Sequence, residues 1–529
     1  MNIKHFLTLI VACIATSPFC HADDIQALNK QAEAEYLIPV RPGTADGSVP
    51  FWNPFCFKFI YAPAFDFKTV KGAKSYRFTV TSKDSTSRSF TADVPTAALS
   101  PIWNQIPVGD VTLTVEALDK KGKAIKTVGT KKFLRDYPFH GPYKDKVCSY
   151  DECIKRGISY VHYMPAVQYW ETHDTPDMSY PYNSYVCKIM SHTILAELKY
   201  AEYYPEAKDV CLKRCRNIAK FIISLAQPAD APLAYFPPTY YGDNKAAGEA
   251  INKGKTLVME ATEVVIAFID LYKACGDRQY LDFALHILDT YKKIRRPDGS
   301  YPVKVDILTG EPVNKANTVP NQLFMAIDRL EKKVHIYDYR DLRESLEKWT
   351  ADVLFESFDW NSQFEDVELE GYQPYQNLTN SHAAVIAAYL LQKENVTPKE
   401  LKVAEDIMRL CEDQFVLWDS PRVNGVPETC TPCVCEQMEW WEPTNASTCH
   451  LIEGFALLYK HTGDKLWLAK ANALAANLTI MQNKVTGMIP TWGFRVNQHI
   501  TDDAAKFWMN SNEHTIVTLE RFRKLTGQD

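Results

Sequence analysis

The sequence predicts a mainly α-helical fold, an (α/α)6 toroid with room for a seventh hairpin, behind a small N-terminal β-sandwich. Three observations predict it. First, "LYKACGD" at 271–277 recurs as "LYKHTGD" at 458–464. Each copy is followed by an apolar-periodic helix, a Gly turn and a Pro preceded by Tyr or Ile, at Gly299…Tyr301-Pro302 and Gly487…Ile489-Pro490. Second, looser copies of the unit return about every 60–70 residues from residue 190 onward, the mark of a repeat architecture. Third, residues 57–136 alternate apolar and polar positions between Gly-containing or charged turns, as half-buried strands do.

In chain order, residues 1–22 read as a secretory signal peptide. Lys4 and His5 make a basic start, Phe6 to Ala15 is apolar but too short to span a bilayer, and Ala22 offers a small residue for cleavage. A competing reading takes Ile10-Val11-Ala12-Cys13 as a lipoprotein box with Cys13 lipidated. Residues 23–56 are an N-terminal extension. The sandwich occupies 57–140, with "KFIYAPAFDF", "SYRFTVTS", "SRSFTADVP" and "DVTLTVEALD" as strands, and the helical region runs from 150 to 529. No later segment reaches transmembrane length, so the expected protein is exported, soluble and without a membrane span.

Within the repeat, Gly276 and Gly463 supply the left-handed end of a first helix, and Asp277 and Asp464 begin the returning one. First helices are expected near 190–202, 258–275, 320–331, 380–392, 446–461 and 512–526. A lone hairpin cannot bury its apolar face, so regularly spaced hairpins close into a ring or stack. In a ring, the N-termini of the inner helices point to one end, with free N–H groups and partial positive charge. The long loops that precede them, 160–190, 236–260, 301–321, 358–382, 418–450 and 490–514, are where function is expected.

Hydrophobic content of 46% and charged content of 23% exclude a disordered chain. A net charge of −6 gives neither nucleic acid nor an anionic membrane a reason to bind. The sequence lacks a phosphate-binding Gly loop, a G-x-S-x-G elbow and an H-E-x-x-H helix. The 11 Trp and 28 Tyr would ordinarily fill cores. Several nevertheless crowd into the loops, Tyr182, Trp360, Trp440, Trp441 and Trp492 among them, as a surface that stacks on sugar rings requires.

Candidate chemistry lies in three loops. In "WNSQFEDVELEGYQPYQNLTNSHA" at 360–383, Tyr372, Asn377, Asn380 and His382 could converge as hydroxyl, amides and imidazole to hold a uronate carboxylate and move a proton. The plainer reading is a solvated acidic loop followed by a helix cap. In "ETCTPCVCEQMEWWEPTNASTCH" at 428–450, Glu436 and Gln437 precede Trp440 and Trp441, an arrangement that could raise a catalytic acid. Glu260, near the start of an inner helix, is its expected partner in a glycosidase carboxylate pair, although Glu suits a helix N-terminus without any catalytic role. Trp492 and Arg495 precede the last inner helix, and the planar fork of Arg495 suits a uronate carboxylate.

Cys430, Cys433, Cys435 and Cys449 admit two readings. Disulfides or buried free thiols are the one preferred for an exported chain, so no cofactor is expected. A zinc site on these four cysteines is the alternative.

The strand pattern of 57–140 resembles a fibronectin type III module. Taken with the signal peptide and aromatic loops, the hairpins of 150–529 resemble secreted six-hairpin carbohydrate-active enzymes, including β-glucuronidase-like and unsaturated glucuronyl hydrolase-like families. The resemblance implies an oligo- or polysaccharide substrate and a glycoside hydrolase acting on an acidic glycan, with Glu436 and Glu260 as its carboxylates. A polysaccharide lyase using Tyr372 or His382 to remove a proton from the uronate is the second implication, and a glycan-binding protein without catalysis the third.

Overall fold

The Gly-Asp pair turns the chain between helices in both copies of the repeat. In the computed structural model, which describes residues 22–40, 55–243, 249–361, 374–419, 430–492 and 507–529, Gly276 and Gly463 take left-handed φ values of 75° and 70°. Glycine reaches that region without strain. Asp277 and Asp464 then accept hydrogen bonds from the backbone N–H groups of Gln279 and Leu466 and so cap the returning helices.

The expected signal peptide, through residue 21, and Cys13 lie outside the described residues. Helix α1 (Ala22–Glu35) comes first. Strands β1 (Lys58–Phe59), β2 (Ser75–Ser82), β3 (Ser87–Ala92), β4 (Gly109–Leu118) and β5 (Ala124–Arg135) form one sheet in the order β1-β5-β4-β2-β3, with only the β1–β5 pair parallel. This corrects the expected sandwich: among the described residues no second sheet faces this one. Of "KFIYAPAFDF" only the first residues pair, and its Phe59 and Phe65 gather with Trp103 on Phe133. Alternation records that one face of a strand is buried, and here irregular segments bury it.

The helical region opens with α2 (Tyr150–His162). Hairpins follow as α3 (Ser191–Tyr203) with α4 (Lys208–Leu225), α5 (Ala261–Cys275) with α6 (Arg278–Ile294), and α7 (Asn321–Val334) with α8 (Arg340–Trp349). Next come α9 (Asn380–Leu391) with α10 (Pro398–Phe415), α11 (Asn445–Thr462) with α12 (Lys465–Met481), and finally α13 (Met509–Thr526). The first helices of these pairs, α3, α5, α7, α9, α11 and α13, touch one another in that order, and α13 returns to α3. Each packs on its own outer partner, and the outer partner of α13 is α2. The helix before residue 190 therefore completes the sixth pair and adds no seventh hairpin. Inner helices α5 and α9 are the most apolar, and residues Ala261–Ile269 of α5 are all buried.

A buried ionic network joins α1 and the sheet to the ring. Glu412 of α10 accepts from Tyr36 Oη (2.8 Å), Tyr61 Oη (2.9 Å), Trp418 Nε1 (3.1 Å) and Lys470 Nζ (2.7 Å). Lys470 also reaches Glu35 at 2.8 Å. Next to Glu412, Asp413 accepts from the backbone N–H groups of Ile60 and Tyr61, and Lys58 donates to the carbonyls of Asp413 and Val416. No helix among the described residues is long and apolar enough to cross a membrane.

Candidate active site

The six inner helices enclose a cavity of about 680 Å³ that runs along the bore. Its lining runs from where these helices begin, the end called its mouth below, to Lys333, Lys460 and Lys524 near where they finish, and two short ribbons set the mouth residues in place. Strand β6 (Lys255–Leu257) pairs with β7 (Lys304–Asp306), and the chain then passes directly to Glu260. Strand β8 (Val416–Leu417) pairs with β9 (Cys433–Val434), which leads to Glu436. Glu436 is gripped through its backbone from two sides: its N–H donates to Glu442 O (2.9 Å) and its carbonyl accepts from Asn380 N (3.2 Å).

Glu260, Glu436, His382, Trp440 and Trp492 all line this one cavity. Trp440 and Trp492 meet edge to face, with ring centroids 6.2 Å apart. Of the other expected residues that are described, none lines it. Trp441 follows a bend over 438–440, lies outside the wall and stacks on Phe415 in the core. Trp360 packs against Phe355 and Phe358. Asn377 donates to Gln437 Oε1 (2.9 Å), and Asn380 donates to Cys435 O (3.0 Å). These amides splice two loops together behind the mouth. Tyr182 lies against Trp508, centroids 4.1 Å apart, and supports that indole from behind. Tyr372 and Arg495 lie outside the described residues.

Other wall residues were not singled out from the sequence as a set. Lys188 bridges to Glu260 at 3.3 Å and lies over the ring of Trp508. Deeper in the bore, His192 sits between two buried carboxylates, its Nδ1 3.0 Å from Glu513 and its Nε2 3.4 Å from Glu263. Burial opposes a charge on His192, but hydrogen bonds and charge from Glu263 and Glu513 prevail and lift it to about 10. It is an imidazolium at neutral pH. In return, Glu513 is held at about 2 by His192 against the opposing effect of burial. Burial and the charge of Lys188 push His382 down to about 4. Burial, then the nearby His192 and His450, push His514 down to about 3, and burial lowers His450 to about 4. The bore thus holds one fixed imidazolium beside three neutral imidazoles. The sequence carried a signal for this: His192, His382, His450 and His514 all fall in the first two turns of inner helices.

His192, Glu513 and His514 offer ligand atoms within 4.8 Å of one another, a set that could hold a metal ion in competition with the His192 proton. The expected zinc alternative does not gather: the sulfurs of Cys430, Cys433, Cys435 and Cys449 converge on no common position, and Cys449 donates instead to Thr515. All twelve described cysteines are free thiols.

No family model and no curated protein match the chain. Among solved structures it is similar to cellobiose 2-epimerase from Spirochaeta thermophila DSM 6192, at 12% identity over 70% of this chain and 97% of that one, with a TM-score of 0.48. It is also similar to an unsaturated glucuronyl hydrolase specific for heparin, at 9% identity, 72% and 99% coverage and a TM-score of 0.44. A family 76 glycoside hydrolase from a bovine Bacteroides thetaiotaomicron strain aligns at 10% identity, with 84% and 93% coverage and a TM-score of 0.43. Likeness at this level leaves each protein's chemistry its own.

Proposed function

We propose that this chain is an exported glycoside hydrolase acting on an acidic glycan at the mouth of the bore. The observation that carries the reading is the presence of two carboxylates, Glu260 and Glu436, on one wall system with the indoles of Trp440, Trp492 and Trp508. Glu260, 3.3 Å from Lys188, is assigned the role of base or nucleophile. Glu436, half-buried beside Trp440, is the acid that protonates the leaving oxygen. The indoles supply flat apolar faces for pyranose rings. The open ends of the inner helices, together with Lys188, supply positive potential for a uronate carboxylate.

A second reading, β-elimination at a uronate, draws on the three imidazoles that burial keeps unprotonated at neutral pH, with a bound uronate's charge required to raise their basicity. One experiment separates the two: purified protein is incubated with a panel of uronate-containing glycans while reducing ends and the ultraviolet absorbance of a 4,5-unsaturated uronate are recorded together. New reducing ends without absorbance support hydrolysis. Absorbance rising in step with new ends overturns it in favour of elimination. No change in either signal across the panel overturns both.

A further inference from the structure

We propose that Cys148 and Cys153 are a redox-modification site, a thiol pair that small oxidised disulfides convert to an intramolecular disulfide. Ser149 caps α2, accepting the N–H of Glu152 at 3.1 Å. Cys148 is thus the residue before the cap, and Cys153 is the fourth residue of the helix. Side chains at these two positions meet across the first turn of a helix. Cys148 is half-buried and reachable, whereas Cys153 is fully buried beneath it.

The two thiols are unequal in the way an attacking and a resolving group must be. The neighbouring Cys153 thiol holds Cys148 at about 7, with Arg156 and Lys146 assisting against burial and Glu152. Cys153 is pushed up by its neighbour Cys148 and by burial. The partial positive charge at the start of α2 adds to the stability of a Cys148 thiolate. Thiols elsewhere in the ring, Cys187, Cys211, Cys215 and Cys411 among them, are pushed up by burial and are closed to such chemistry.

The chemistry balances as thiol–disulfide exchange. The Cys148 thiolate attacks one sulfur of oxidised glutathione and releases a glutathione thiolate. Cys153 then gives up its proton and attacks the Cys148 sulfur of the mixed disulfide, releasing the second glutathione thiolate. Two electrons pass from the two protein thiols to the glutathione disulfide. The new bond fastens the start of α2, the outer helix that closes the ring against α13.

The test uses the full folded chain, oxidised glutathione, alkylation of the remaining thiols and tryptic mapping. Lys146 and Lys155 place both cysteines in a single tryptic peptide, Val147–Lys155. The expected result is that this peptide becomes lighter by two hydrogens with neither cysteine alkylated. Alkylation of both thiols, a glutathione adduct persisting on Cys148, or a Cys153–Cys449 link would each overturn the proposal. In Cys153→Ser the adduct on Cys148 should accumulate. In Cys148→Ser, modification of Cys153 should slow about tenfold or more. An unchanged rate in Cys148→Ser would also overturn the proposal, and it is read independently of how Cys153→Ser folds.

Discussion

Two ionic networks are buried in this molecule, and they differ in how completely their polar atoms are used. Around Glu412, both carboxylate oxygens receive two donors each, and Lys470 spans two carboxylates with none of its side chain exposed. The Nε atoms of Arg135 and Arg409 and Oδ2 of Asp136 have no hydrogen-bond partner there, but both guanidinium groups are bound through other nitrogens and Asp136 Oδ2 lies 3.4 Å from Lys58 Nζ. Along the bore, by contrast, Asn321 Oδ1, Asn510 Oδ1 and Trp508 Nε1 are buried, border the cavity and have no protein partner. A buried polar group without a partner costs about 1–3 kcal/mol. A network that only fastens parts together is therefore driven to saturation. A network that must receive another molecule keeps capacity in reserve. The same contrast marks the charges: Glu412 is neutralised where it lies, whereas the bore concentrates Glu260, Glu263 and Glu513 against Lys188 and His192.

The sharpest way to break this contrast is a crossed pair of substitutions. Glu436→Gln should lower kcat about a thousandfold, a loss of about 4 kcal/mol in transition-state stabilisation, and leave the urea midpoint unchanged. A fall in stability of similar size would move Glu436 into the structural class. Glu412→Ala should do the reverse and cost about 3–5 kcal/mol of stability, because it strands Lys470 as a buried charge, while kcat of the folded fraction is unchanged. A third test uses pH. His382, His450 and His514 titrate lower in the folded chain than in the unfolded one, so the unfolded chain binds more protons between about pH 6.5 and 4, and stability should fall as pH drops through that window. His192 titrates higher when folded, so its contribution is complete below about pH 6.5 and is lost as pH rises towards about 10. Urea melts across pH should show both limbs, and His192→Gln should flatten the alkaline one. The smallest effect belongs to Trp440→Ala: KM should rise between about threefold and tenfold with kcat nearly unchanged, the value of one stacking contact.

Much of the scaffold was legible because the sequence repeats its turn chemistry. Gly276-Asp277 and Gly463-Asp464 fix a helix end and a helix start by sterics and capping alone, and the spacing of the inner helices follows from them. The expected sandwich met a single sheet among the described residues, because alternation reports one buried face without saying whether a second sheet or irregular segments cover it. The site was legible only in part. Glu260, Glu436, His382, Trp440 and Trp492 could be placed near the mouth by their position before or at the start of inner helices. Which of Trp440 and Trp441 faces the cavity depends on the bend at 438–440 inside the loop closed by the 435–443 bridge, which composition cannot report. The amides of Asn377, Asn380 and Gln437 have the right chemistry to bind sugar, but each finds a loop partner first. His192 was hard to find for a different reason: α3 buries Ser191, Thr193 and Glu197 as well as its apolar residues, so periodicity cannot distinguish its bore face from its core face.

The ring is fastened between its two ends in sequence, since α2 packs on α13 and Asp151 meets Arg523 at 2.9 Å. A cut anywhere in the connection before α13 would therefore remove three things together: the sixth wall of the bore, the Glu513 carboxylate against His192, and the packing partner of α2. The ring closes through a single seam, and the charge at its centre depends on that seam.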